Sequence, residues 1–258
     1  MEKRLIRSGL LLGLVVLLFV SGCAKKQLRP TEERVKKDAS LEELTVLYRL
    51  RREEWNGFKG LLEITTETRR EGRHTFQATW LLQGGQTRIR GFDILGGTLF
   101  ELRLAGSQVV LTLAAERRTI ETSRREFESQ PGAAMPIGSL ALLDWVNRGA
   151  IPEATPPLLP VLEKGEERFF LYLLKPFPEK GILEEKISIE RTAFRVDRVE
   201  TFDLEGSRRA VVTFDDYRKV GGREFPFDVQ GEERGEKISL RFKEVSPLPR
   251  ASAEKGLK

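Results

Sequence analysis

The 258-residue sequence has one cysteine, Cys23, and one histidine, His74. A single thiol forms no intrachain disulfide, and one histidine with one cysteine makes no zinc site of the ordinary type and no Cys-His pair. A serine triad would need His74, and no Gly-x-Ser-x-Gly elbow is present. Gly-x-x-x-x-Gly-Lys phosphate loops and Gly-x-Gly-x-x-Gly fingerprints are also missing. His74 stands beside a turn in a strand pattern and reads as a surface or strand residue. Charge of one sign is lacking too. The 44 basic and 39 acidic residues give a net charge of +5. They are interspersed, as on a solvated mixed surface, and make no nucleic-acid footprint. Asp215-Asp216, Glu184-Glu185 and Glu232-Glu233 are carboxylate doublets. Neighbours in a strand point to opposite faces, so the members of each pair do not converge. The expectation is a chain without enzymatic activity, metal or cofactor.

What is present begins at the N-terminus. Lys3, Arg4 and Arg7 precede an apolar run, Leu10 to Val20, that stops at Ser21-Gly22-Cys23. The run is short for a membrane span of about 20 residues and ends in small residues, as a cleaved signal does. Its end, Phe-Val-Ser-Gly-Cys, resembles the bacterial lipobox. That resemblance implies cleavage after residue 22 and acylation of Cys23, with the acyl chains holding the protein on a membrane. Ala24 and Lys25 follow, with no aspartate beside the cysteine. By resemblance to the sorting pattern of Gram-negative lipoproteins, this implies the outer membrane, facing the periplasm.

Residues 23–39 are polar and charged, with Pro30, and read as a tether. Ser40 and Glu43 form a capping-box pattern that opens a helix running to about Trp55. From Phe58 the apolar period changes to two, and glycine-containing turns recur every ten or so residues. Residues 131–160 carry six prolines around one short apolar helix, "IGSLALLDWVNRG", capped by Ser139 and ended by Gly149. Strands then resume from Arg168 to Val245, and a polar tail occupies residues 248–258. The expectation is a mainly β domain at 40–247, an antiparallel meander of about eleven strands with two helices and no parallel βαβ pattern.

Several strands are apolar on both faces, which a one-layer meander does not need. Either a sandwich core or a curved sheet with an apolar ligand on its inner face accounts for this. In the second case the helix around Leu140–Trp145 covers the opening. Strand parity assigns Trp80, Phe100, Leu102, Leu104 and Phe170, together with Trp145 of the helix, to that lining.

The order of elements resembles the LolA/LolB-type lipoprotein carriers. Thr87 to Ile120 carries the likeness in its succession of strands and glycine turns. Val211 to Gln230 carries it where an Asp-Tyr strand end meets a glycine turn and a Phe-Pro strand start. "PIGSLALLDWVNRGAIP" is similar in position and character to the family's lid helix. The resemblance implies an open antiparallel half-barrel with an apolar cleft for acyl chains, closer to the anchored LolB type than to the soluble LolA type. It implies transfer or insertion of lipoproteins or lipids in the envelope, a periplasmic carrier as partner, and Ile94 and Leu95 as a membrane-facing turn. The alternative is a non-catalytic structural or interaction lipoprotein of an envelope assembly, its sheet filled by its own side chains.

Overall fold

The computed structural model describes residues 35–53, 57–68, 72–129, 140–153, 157–177 and 180–249. The signal segment, Cys23, Ser139, Trp55 and the tail beyond 249 lie outside the described residues. From Lys36 the chain forms one unit. Thirteen strands make a single sheet. They are β1 (Gly57–Thr68), β2 (Gly72–Gln83), β3 (Gln86–Phe92), β4 (Thr98–Ala105), β5 (Gln108–Leu113), β6 (Arg118–Ser123), β7 (Leu159–Lys164), β8 (Arg168–Phe177), β9 (Lys180–Glu190), β10 (Val196–Phe202), β11 (Arg208–Val220), β12 (Arg223–Glu233) and β13 (Glu236–Pro247). Among the described residues three helices accompany them: α1 (Leu41–Glu53), α2 (Arg124–Ser129) and α3 (Leu140–Asn147).

The sheet order is β6-β5-β4-β3-β2-β1-β13-β12-β11-β10-β9-β8-β7, antiparallel throughout and unclosed. This is the open antiparallel half-barrel with an N-terminal and a central helix. The strand count exceeds the expected eleven because β7 hides among prolines. "LPVLEK" includes Pro160, and as an edge strand it tolerates a residue without an amide hydrogen. The six-residue α2 is too short for a helical period to register.

The helix ends follow their sequence signals. Ser40 N–H donates to Glu43 Oε2 at 2.7 Å and Glu43 N–H donates to Ser40 Oγ at 3.2 Å, a complete capping box. At the end of α3, Gly149 adopts φ 63°. There Gly149 N–H donates to Val146 O at 2.9 Å, and Ala150 N–H to Trp145 O at 2.9 Å. This pair of bonds is a Schellman motif, whose left-handed position suits glycine.

Alternating residues build the inner face. Phe58, Leu62 and Ile64 of β1, Ala78 and Trp80 of β2, Ile89 of β3 and Phe100, Leu102 and Leu104 of β4 are buried. So are Phe169, Leu171 and Leu173 of β8, Phe225, Phe227 and Val229 of β12, and Leu240 and Phe242 of β13. Phe58, Trp80, Phe225 and Phe242 form one aromatic cluster with centroids 5.0–6.2 Å apart. The outer face is mostly polar.

Antiparallel order sends successive turns to opposite rims of the sheet. The near rim carries the start of β1 and the β7–β8, β9–β10 and β11–β12 turns. The chain enters there: Lys37 N–H donates to Arg191 O, and Lys164 Nζ pairs with Asp38. The far rim carries the β3–β4, β10–β11 and β12–β13 turns.

Candidate functional site: the helix-covered inner face

The site is the inner face and its cover. Leu140, Leu142, Leu143, Trp145 and Val146 of α3 are buried. They lie in one apolar cluster with the sheet and with Leu44 and Tyr48 of α1. Trp145 meets Phe214 of β11 with centroids 6.1 Å apart. The backbone of Gly231 in β12 is where Leu142 lands: a Cβ there would lie 2.4 Å from Leu142 Cδ1. One side-chain hydrogen bond ties the helix to β2, from Trp80 Nε1–H to Asn147 Oδ1 at 3.0 Å.

A second polar contact under the helix is incomplete. Trp145 Nε1 is buried with no hydrogen-bond partner at normal geometry. Glu185 of β9 shares the parity of the inward Ile187 and Ile189 and faces α3. Burial pushes its carboxyl above the ordinary range, against the pull of Arg148 and the Trp145 indole. Arg148 itself lies over the Trp145 ring, 4.3 Å from its centroid.

Five of the expected lining residues, Trp80, Phe100, Leu102, Leu104 and Trp145, are buried in this shared interior. Phe170 is a correction. Phe169, not Phe170, faces inward, and Phe170 is half-buried on the outer face beneath Lys186 Nζ at 4.7 Å. Two adjacent phenylalanines leave parity undecided from sequence, and the strand turns Phe169 inward. Asp215 and Asp216 are both exposed, and Asp216 sits at φ 50°. Asp216 is left out of the β11–β12 pairing, whose register is the same on either side of it, and the neighbouring Tyr217 hydroxyl donates to Val196 O at 2.6 Å. His74 is exposed in β2. No cluster of three or more metal-ligating side chains occurs among the described residues.

Sequence reading missed a cavity of about 210 Å³ at the near rim. Tyr48, Phe194, Arg195, Tyr217 and Glu224 line it, and Ala150 and Ile151 bring the end of the helical cover to its wall. Arg51 is fixed on carbonyls, donating to Phe194 O at 2.7 Å and to Ala193 O at 3.1 Å. Arg195 holds Glu224 in a two-pronged pair and keeps its carboxyl below the usual range. The cavity joins α1, the β9–β10 turn and β11, segments far apart in the chain, so no local pattern announces it.

The arrangement defines a class: a single open antiparallel sheet whose apolar face is covered by helices. No family model matches the sequence, and no curated protein does. Solved structures do share the fold. A LolA superfamily protein from Nitrosomonas europaea is similar with a TM-score of 0.54 at 13% identity, over 82% of this chain and 95% of that one. An outer membrane lipoprotein-sorting protein domain from Vibrio parahaemolyticus gives 0.56 at 14% identity, over 84% and 93%. A DUF1329 family protein from Desulfovibrio piger gives 0.55 at 11% identity, over 83% and 92%. The chain therefore shares its fold with these three structures.

Proposed function

We propose that this chain is a lipoprotein anchored in the outer membrane through acylated Cys23, and that its half-barrel takes up acyl chains beneath α3 for transfer or insertion of lipoproteins or lipids in the envelope. One observation carries the reading. The inner face is a continuous apolar trough, and its central cover is an eight-residue helix with an unsatisfied buried indole and a half-buried carboxyl group under it. Those two defects weaken the cover relative to the sheet. Among the described residues the lining side chains are almost wholly buried. The rim cavity of about 210 Å³ is smaller than the ~300–1,000 Å³ of typical ligand pockets. Acyl chains therefore enter only when α3 lifts, exposing Trp80, Phe100, Leu102 and Leu104. Each methylene then buried gains about 0.8 kcal/mol, so a chain of modest length offsets the apolar contacts that α3 gives up. The chemistry is burial, without catalysis. A periplasmic carrier is the protein partner, and Ile94 and Leu95 form the turn that meets the membrane.

The test is lipid content and fatty-acid binding of the full acylated chain, exchanged into a non-ionic detergent. Native mass spectrometry finds co-purifying lipid, and a fluorescent fatty acid binds and is displaced by an unlabelled one. If neither occurs, the reading fails. The filled interior, with its lining residues almost wholly buried, then supports the second reading, a non-catalytic interaction protein of an envelope assembly.

A further inference from the structure

Two turns on the far rim are the same object built twice. Phe92-Asp93-Ile94-Leu95-Gly96-Gly97 joins β3 to β4, and Phe202-Asp203-Leu204-Glu205-Gly206-Ser207 joins β10 to β11. In the first, Asp93 N–H donates to Gly97 O at 2.9 Å and Gly96 N–H to Asp93 O at 3.1 Å. Asp93 Oδ1 accepts from Leu95 N–H and Gly97 N–H, both at 2.8 Å. In the second, Asp203 N–H donates to Ser207 O at 3.0 Å and Gly206 N–H to Asp203 O at 3.1 Å. Asp203 Oδ1 accepts from Glu205 N–H at 3.1 Å and Ser207 N–H at 2.8 Å. The next-to-last position is glycine in both, at φ 84° and 82°.

Each aspartate stiffens its turn, and each stiffened turn holds up aliphatic side chains. Ile94 is 99% exposed, Leu95 91% and Leu204 71%, higher than any other large apolar side chain of the sheet's described residues. A rigid turn gives up little entropy when its tip is buried elsewhere. Beside the second turn, Arg208, Arg209 and Arg234 line a recess of about 360 Å³ together with Asp203 and Glu232. Arg234 is exposed at the tip of the β12–β13 turn and makes no ion pair among the described residues. The rim thus pairs exposed aliphatic tips with guanidinium groups, the complement of an anionic bilayer surface.

We propose that the far rim docks on an anionic lipid bilayer at two points, with Leu204 as a second apolar insertion, separated by four strands of the sheet from Ile94–Leu95, and with Arg208 and Arg234 on lipid phosphates. This goes beyond the single membrane-facing turn of the proposed function and rests on the anchor assigned there. Chain length fits. The tether reaches the sheet on the near rim, and β11, with 13 residues, spans about 43 Å. Residues 23–36 cover at most ~45 Å when extended. An extended segment of that length matches the span of β11.

The test uses the full acylated chain on vesicles of phosphatidylethanolamine and phosphatidylglycerol. Acylation caps the thiol of Cys23, so Leu95→Cys, Leu204→Cys and Val46→Cys, the last on exposed α1, each take one environment-sensitive dye. Lipid-borne nitroxides quench the dye at 95 and at 204 severalfold more than at 46. Adding Arg208→Glu and Arg234→Glu to Leu204→Cys lowers quenching at 204 severalfold on anionic vesicles and leaves it unchanged on phosphatidylcholine. Quenching at 95 alone overturns the two-point proposal and leaves the single-turn reading standing. Vesicle-bound protein with neither position quenched overturns both membrane-contact readings. Protein that does not sediment with vesicles overturns the anchor and the proposal together.

Discussion

Two carboxylates on opposite faces of the sheet, Glu101 buried and Glu185 half-buried, have opposite fates. Glu101 lies on the outer face of β4 among Arg88, Arg90 and Arg103, and Glu185 lies on the inner face of β9 under α3. Burial pushes the Glu101 carboxyl up, but hydrogen bonds from Arg88 and Arg90 and their charges outweigh it and hold it at about 2. Glu185 has Arg148 and an indole, and burial wins. The difference lies in geometry. Cross-strand pairing sets Arg88 and Arg103 opposite each other and Arg90 opposite Glu101, which packs guanidinium forks around one carboxylate. The helix brings no such set to Glu185. Polar chemistry therefore locks the strand layer, while it loosens the contact between layers.

The largest effect falls on the locked cluster. Glu101→Gln leaves three guanidinium groups together without their counter-charge. Those arginines are roughly half-exposed, so screening trims the loss to about 2–3 kcal/mol. Urea unfolding at pH 7 reads this as a lower midpoint with unchanged slope. A midpoint that stays in place would make the cluster decorative and dissolve the contrast with Glu185.

The next effect isolates the cover. Gly231→Val puts a side chain where Leu142 packs, and Ile238 Cγ2 lies 2.9 Å from the first added carbon. Overpacking of this kind costs about 1–3 kcal/mol. The strain concentrates between α3 and β12, so the amides of α3 exchange faster while those of β3 and β4 keep their protection. Uniformly faster exchange would show that helix and sheet unfold as one unit.

The strand layer was legible because its signals are local. Glycine turns and period-two alternation around Phe58–Ile64 and Phe76–Leu82 mark β1 and β2 without tertiary information. The capping box at Ser40 and the stop at Gly149 are likewise local, and both fall where the structure has them. Phe170 failed because an apolar residue on each face removes the parity signal, and β7 because Pro160 masks an edge strand. The rim cavity and the Glu185 contact join residues more than thirty positions apart, which no window reports. The twin turns were present in the sequence as Phe-Asp-x-x-Gly twice, and only their hydrogen bonds and shared rim connect them.

The smallest effect has the opposite sign. The folded pKa of Glu185 lies above its unfolded value, so its contribution to the closed cover is complete below the ordinary carboxylate range and is lost as pH rises through the folded pKa. Glu101 runs the other way: its contribution is complete above the ordinary range and is lost as pH falls toward about 2. The cover thus closes over a carboxyl group whose charged form burial disfavours. Glu185→Gln removes that charge, keeps the shape and leaves an acceptor for Trp145. It raises α3 protection in hydrogen exchange at pH 7 by severalfold, and by less as pH falls. Global stability in urea still falls on acidification, because Glu101 is untouched. A variant whose α3 protection still varies with pH as the parent's does would place the titrating group elsewhere and break the link between Glu185 and the cover.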